Sequence, residues 1–440
     1  MPHDRDSEVE SRAPLATIAR RRDERSRSAG AVTTMKQLLR GAHDAFDRHK
    51  ARARATGFDF ALAERVDMLN PAAWDALTRE ASVLMSRRYL RVLEQHRPDN
   101  VLPRYALVFD GDRPVAAIVA QRVKLSAEHL RAPSGERKRD KLARVAAATF
   151  KHVEQDLLIC GNLLSWGCHG VAFAPGIDSA TAWPCVAEAL YRMRRAEHLV
   201  AHTDFVLVKD LTPREAPGAA ALRTYSYRRL ETEPNMVLAI DAAWRGLDDY
   251  HAALASKYRK AARGIDKQVR DAQLRIEALD VRHLPGEALH ELYLQVHGAA
   301  ALRLFTLRAS FLPALGAAFG DDFRCSVVRD DDAPRGFVTT LRDGDTAIAY
   351  YVGFDRERNQ LAPIYLRLLQ ETIAHAIELR CASVSFGRTA LEPKARLGAK
   401  PVPMEVWVRH RVPLLNLLVR AALGSVHHDE APDRDPFKAS

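Results

Sequence analysis

The stretch that decides the fold runs from Thr346 to Val408: TAIAYYVGF (346–354), DRERNQLA (355–362), PIYLRLLQETIAHAIELR (363–380), CASVSFGRT (381–389), ALEPKARLGAKPVP (390–403) and MEVWV (404–408). It reads as strand, loop, helix, strand, short basic connection and strand. Ile348, Tyr350, Val352 and Phe354 alternate with Ala347, Ala349, Tyr351 and Gly353, so both faces of the first strand are apolar or small, as in a sheet covered on both sides. Pro363 stands where a proline starts a helix, and Leu366, Leu369, Ile373, Ala376 and Ile377 recur at helical spacing behind it. The next strand, Cys381 to Phe386, runs into Gly387 and Arg388. An open α/β sheet places ligands outside the carboxyl ends of such strands, so the chemistry is sought there.

Working outward, the same order of landmarks occurs earlier in the chain. RYALVFDGDRPVA from Arg104 lines up without a gap against RCSVVRDDDAPRG from Arg324, with Asp110 on Asp330, Asp112 on Asp332 and Pro114 on Pro334. GVAFAPG from Gly170 resembles YVGFDRE from Tyr351, and each is followed by a proline-containing helix start, at Pro184 or Pro363. DFVLVKDLT from Asp204 takes the place of SVSFGRT from Ser383, with Val208-Lys209-Asp210-Leu211 where the second copy has its FGRT strand end. Three landmarks in one order indicate a duplicated α/β domain.

The chain has 440 residues and is 47% hydrophobic and 28% charged, an ordinary globular composition. Its net charge of +10 is local. Residues 1–57 hold 13 Lys/Arg against 8 Asp/Glu and residues 244–275 hold 8 against 4, so the lobes themselves are near neutral and no broad groove for polyanions is expected. Residues 1–57 read as a disordered basic extension with a surface helix near Met35 to Ala55. Residues 244–279 read as one basic interlobe helix. Residues 58–243 and 280–411 are the two lobes, and 412–440 a C-terminal helix and disordered tail. VPLLNLLVRAALG (412–424) is much shorter than the ~20 residues of a bilayer span. Five scattered cysteines without a C-x-x-C pair point to a reducing, cytoplasmic setting, peripheral to the inner face of the membrane at most, and to no metal. No G-x-S-x-G elbow, H-E-x-x-H helix or Walker loop is present.

The strand order of each copy resembles the GNAT acyltransferase fold, and the tandem arrangement with a basic segment between copies resembles the FemAB-like group. The residues that carry this are Phe386-Gly387-Arg388-Thr389, then Lys394, then Leu397-Gly398-Ala399 and Pro401, with the K-x-R-K-x-x-R spacing from Lys257. The resemblance implies two tandem GNAT-like (acyl-CoA N-acyltransferase-like) mixed-sheet lobes. It also implies transfer of an acyl or aminoacyl group to an amine, such as a cell-envelope (peptidoglycan) precursor, from acyl-CoA or aminoacyl-tRNA. A tRNA would lie along Lys257–Arg270. The glycine-rich diphosphate loop of GNAT enzymes is replaced by DRERNQLAP, which has no glycine, and a non-catalytic binding protein on the same fold is the competing expectation.

The candidate residues follow. Arg388 and Lys394 are expected to bind a carboxylate or phosphate, Arg being suited to a bidentate contact. Gly387, Thr389, Tyr350 and Gly398 join them as donor- or substrate-binding positions. Tyr351, Asp355 and Glu392 are the candidates for handling protons.

Overall fold

Strand segments that are apolar or small on both faces, with Asp-Gly steps between two of the pairs, build a sheet of antiparallel hairpins joined by helical crossovers and covered on both sides. The computed structural model describes residues 55–126, 154–198, 202–300, 303–331, 333–423 and 432–438. Asp332 and most of the N-terminal extension, with its expected surface helix, lie outside the described residues.

In the first half, β1 (Asp59–Ala63) is followed by helices α1 (Pro71–Thr78) and α2 (Arg87–His96), strands β2 (Val101–Asp110), β3 (Arg113–Leu125), β4 (Gln155–Cys160) and β5 (Val171–Phe173), helix α3 (Ser179–Ala196), and strands β6 (Phe205–Leu211) and β7 (Arg228–Ala239). Then come α4 (Leu247–Ala253), α5 (Ser256–Asp271) and β8 (Leu274–Ala278). The second half continues with α6 (Gly286–His297), α7 (Phe311–Phe319), β9 (Phe323–Asp330), β10 (Ala333–Asp343), β11 (Thr346–Phe354), α8 (Arg356–Leu361), α9 (Ile364–Glu378), β12 (Ser383–Ser385), α10 (Leu391–Arg396), β13 (Lys400–His410) and α11 (Pro413–Leu423).

All described strands form one sheet, in the order β1-β2-β3-β4-β6-β13-β7-β12-β11-β10-β9-β8, with β5 pairing β3. The order reads the same from either end when each first-half strand is exchanged for its second-half counterpart, which is the topological signature of the duplication. At the centre the halves trade strands: β13 lies beside β6 of the first half, and β7 beside β12 of the second. The boundary between copies in the sequence is therefore not a boundary in the sheet.

Register confirms the pairing of the repeats. Ala116, Ala117 and Ile118 face Phe173, Ala172 and Val171, as Gly336, Phe337 and Val338 face Phe354, Gly353 and Val352. Ala120 faces Cys160 as Thr340 faces Ala349. Between these points the second half has a bulge of one residue, Tyr350, and the first half has residues 161–169 in its place. The bulge site of one copy thus carries a loop in the other, a place where sheets readily accept extra residues.

Tyr105 and Leu107 of β2 bury against α1 and α2 in one core that also takes in α6 and α7 from the second half, while Ala106 and Val108 point to the opposite face and α3. Ile348 and Ala347 divide the second half in the same way, with α9 over the latter. The expected interlobe helix of residues 244–279 is instead two helices and an edge strand. In β8, Leu274 and Ile276 alternate with Arg275 and Glu277, a period of two that pairs with β9. The tail expected to be disordered contributes residues 432–438 to the fold: Phe437 packs on Trp244 and Tyr250, and Ala255 N donates to Pro436 O at 2.8 Å. Among the described residues no helix is long and apolar enough to cross a membrane.

Candidate functional site

Strands β11 and β12 run parallel and pair only from Thr346, Ala347 and Ile348 to Ser383, Val384 and Ser385. Beyond that point β11 continues to Phe354 while the segment after Ser385 stays with β7, Phe386 N donating to Met236 O, and turns away from β11, so a gap opens between them. The turn is tight. Gly387, Thr389 and Ala390 have φ of 75°, 61° and 46°, left-handed values that the two non-glycine residues adopt only under constraint. The constraints are visible. Asn235 on β7 accepts from Gly387 N at 2.9 Å, and Lys394 reaches back from α10 to donate to Gly387 O at 3.1 Å and Arg388 O at 2.5 Å. Burial pulls the Lys394 ammonium down to about 7, partly offset by Glu233.

The other side of the gap is furnished by the first half. The inserted loop 161–169 crosses to the second half, where Tyr351 Oη donates to Leu164 O at 3.0 Å and Trp166 Nε1 donates to Ser385 Oγ at 2.8 Å. The indole lies against Gly387, where an added Cβ would meet the ring at 2.6 Å. The loop is anchored from behind by Lys209, whose Nζ donates to Asn162 O at 2.9 Å and Ser165 O at 2.8 Å. Burial, with the Arg388 charge nearby, holds Lys209 well below the ordinary lysine range. Asp210, 2% exposed and at φ 58°, takes Gly167 N at 3.2 Å and pairs with both Lys209 and Arg388. Under the loop, Asn162 Nδ2 donates to Tyr89 Oη at 2.8 Å, and Tyr89 and Tyr350 share a hydroxyl hydrogen bond of 2.7 Å.

Register relates the two strand ends. Phe205 sits against Leu157 as Ser383 sits against Thr346, so Val208-Lys209-Asp210-Leu211 superposes in order on Phe386-Gly387-Arg388-Thr389. Asp210 and Arg388 are equivalent positions of the two copies, and they bind each other across the pseudo-twofold centre.

Of the residues expected from the sequence, the structure brings Gly387, Arg388, Thr389, Lys394 and Tyr351 to the gap. Four others go elsewhere. Tyr350 is 2% exposed, in the core against Phe311, with its hydroxyl spent on Tyr89, so it faces no ligand. Asp355 caps α8, accepting from Glu357 N and Arg358 N at 3.0 Å each, and meets Arg335 at 3.3 Å. Glu392 is half-buried at the surface and held below the usual carboxylate range by Arg396 and Arg434, the wrong direction for a general base near neutrality. Gly398 has φ 96° and closes against the ring of Phe437. Sequence reasoning missed Trp166, Lys209, Asp210, Ser385 and Asn235 as site residues. The glycine-rich stretch CGNLLSWGCHG (160–170) is the visible signal, but nothing local tells that its loop reaches the other copy.

The segment 355–363 also bears on the donor. A diphosphate at a helix start needs free backbone N–H groups. Here Arg356 N donates to Gln295 Oε1 at 3.1 Å, and the next two amides are taken by the Asp355 carboxylate. The residues present do not fit the diphosphate of coenzyme A at this helix end. A surface cavity of about 430 Å³ lined by Asp75, Arg79, Ser82 and Asp343 lies at the β10–β11 hairpin, the opposite end of β11 from the gap. Its Asp343 already accepts from Ser82 Oγ and Val83 N. Among the described residues no group of three or more His, Cys, Asp or Glu is placed to hold a metal ion.

The family model described as Acetyltransferase (GNAT) domain matches residues 254–395, stopping short of the strand β13 that crosses into the first half. No curated protein matches the sequence. Among solved structures, the chain is similar to a tandem GNAT protein from the clavulanic acid biosynthesis pathway, at 13% identity and a TM-score of 0.48, covering 81% of this chain and 99% of that one. It is also similar to FemX, at 10% identity and 0.48, covering 80% and 98%. L-PGS from Bacillus licheniformis follows at 10% identity and 0.42, covering 76% and 95%.

Proposed function

We propose that the protein, whose residues 254–395 match the GNAT acetyltransferase family model, is an N-acyltransferase that moves an acyl or aminoacyl group to an amine in the gap between β11 and β12. The observation that carries this is the parting of the two strands after Ile348 and Ser385. Main-chain groups of β11 beyond Ile348 have no strand partner on the β12 side and would serve a carbonyl held there.

The unprotonated amine nitrogen forms a C–N bond to the acyl carbon. The bond from that carbon to the carrier's sulfur or oxygen breaks, and the proton given up by the amine ends on the departing atom. Tyr351 is half-buried at this place, and burial raises its hydroxyl well above the ordinary tyrosine value. It therefore stays protonated near neutrality and suits passing its proton to the leaving atom, the phenol being restored by the proton that the amine gives up. Arg388, 30% exposed and already paired with Asp210, offers a fixed positive group for a carboxylate or phosphate of the substrates.

Of the two donors, the occupied amides at 356–358 favour aminoacyl-tRNA over acyl-CoA. The exposed Lys257, Lys260, Arg263 and Lys267 on α5, without acidic partners among the described residues, add a phosphate-binding stripe, in keeping with a FemAB-like role on a cell-envelope amine. The exposed Leu414, Leu415 and Leu417 of α11 would suit a peripheral position at the inner face of the membrane.

The test is transfer of label from acetyl-CoA and from aminoacyl-tRNA to a panel of primary amines by the full-length protein. Aminoacyl transfer is expected, with a KM that rises with salt and a loss of about 100-fold in kcat/KM in Arg388→Ala, roughly 3 kcal/mol. Acceptor binding without transfer from either donor would replace this reading with that of a non-catalytic binding protein, which the glycine-free segment 355–363 favours.

A further inference from the structure

The residues that border the gap do not all come from the GNAT-matched segment. Leu164 and Trp166 belong to the loop that the first half carries where the second half has only the bulged Tyr350. That loop spans the gap from one wall to the other: its Leu164 carbonyl is bound by Tyr351 on β11, and its Trp166 indole is bound by Ser385 at the end of β12.

Three features say that the indole is seated there by design of the fold and not by chance contact. Position 387 is a glycine whose Cβ, if present, would stand 2.6 Å from the ring, so the backbone of the turn is shaped to receive it. Ser385 is in turn fixed by Asn235, whose Nδ2 donates to Ser385 Oγ at 2.9 Å while its Oδ1 accepts from Gly387 N. The loop's base is locked by Lys209 through two carbonyls and by Asp210 through Gly167 N. The indole is nonetheless only half-buried, so it is not sealed into the core.

We propose that Trp166 is the specificity-determining wall of the acyl site: a rigid aromatic plane, supplied by the first half, that limits the group held between β11 and β12 to small acyl or aminoacyl chains. This rests on the reading of the gap as the acyl-transfer site. An indole held by a hydrogen bond and a glycine seat yields little to a bulky guest. A long chain would have to displace the ring and leave Ser385 Oγ and the indole N–H without each other. Without the ring, the space it fills becomes available to the acyl chain.

The test uses acyl thioesters of N-acetylcysteamine, which carry no diphosphate and so report on the gap alone. Acetyl, butyryl and octanoyl forms are titrated into the full-length protein and into Trp166→Ala, with Trp166→Leu as a milder variant that keeps an apolar side chain in the loop. The wild type is expected to bind the acetyl form at least tenfold more tightly than the octanoyl form. The alanine variant should lose that discrimination and the leucine variant should fall between, with circular dichroism spectra and urea midpoints checking that each is folded. Discrimination unchanged in both variants, with the acetyl form still bound, overturns the role of Trp166 and leaves the acyl-transfer site standing. Binding of no thioester by any of the three proteins overturns this inference; the gap as the transfer site stands if the same wild-type preparation moves an aminoacyl group from tRNA to an amine, and falls with it if neither donor is used.

Discussion

The two strand ends at the centre of the sheet, Val208-Lys209-Asp210-Leu211 and Phe386-Gly387-Arg388-Thr389, occupy equivalent places in the two copies and have taken opposite roles. In the first, a lysine turns inward and ties down the loop that follows β4. In the second, the same position is a glycine, and the space is filled from outside by the indole of that very loop. One copy has closed its own strand end and lent the closing element to the other. A duplicated fold can thus divide its labour: one half becomes scaffold and wall, while the other keeps the gap proposed for the chemistry.

The comparison is broken most severely at its shared charge. Asp210 is the common partner of Lys209 and Arg388, and Asp210→Ala leaves two cations clustered without their carboxylate. Removal of one partner from a buried ion pair costs about 3–5 kcal/mol, so the urea midpoint should fall by that equivalent. A loss under 1 kcal/mol would mean that the two strand ends do not depend on each other.

Each copy also uses a buried lysine as a clamp on carbonyls, and Lys394 is the one whose titration lies in reach. Its folded value of about 7 is below the free value of 10.5. The unfolded chain therefore binds more protons between these limits, and stability rises with pH from about 7 to 10.5 by about 1.4 kcal/mol per unit from this group. Lys394→Met should remove that part of the slope, measured by denaturant unfolding at several pH values. An unchanged slope would place the ammonium in a more solvated setting.

The smallest expected effect is the most specific. Gly387→Ala puts a methyl group into the indole and a side chain at φ 75°, at a cost of roughly 1–3 kcal/mol. In the Trp166→Ala background the steric part should vanish and only the backbone part remain, giving a coupling of at least 0.5 kcal/mol in a double-mutant cycle. Strict additivity would show that the ring and the glycine do not meet in solution.

Much of the fold was legible because it rests on local periodicity. The β2–β3 and β10–β11 hairpins follow from Asp-Gly steps between apolar runs, and the repeat spacing of Arg104 and Arg324 agrees in register with the pairing. The swap of β7 and β13 was not legible, since a strand's own pattern tells which faces it buries and not which neighbour it takes. For the site the division is similar. Gly387, Arg388 and Lys394 stood out at a strand end, whereas Asp355 and Glu392 look like bases in sequence and are a helix cap and a surface ion-pair partner in space.

What the sequence by itself determined is the duplication and the strand ends, because each is written in short local patterns of residues close together in the chain. What only the tertiary structure decided is who faces whom there. Trp166 stands some 220 residues before Gly387, and Asp210 some 180 before Arg388. Their meetings are set by the twofold arrangement of the sheet, which brings the two copies' equivalent strand ends to one centre.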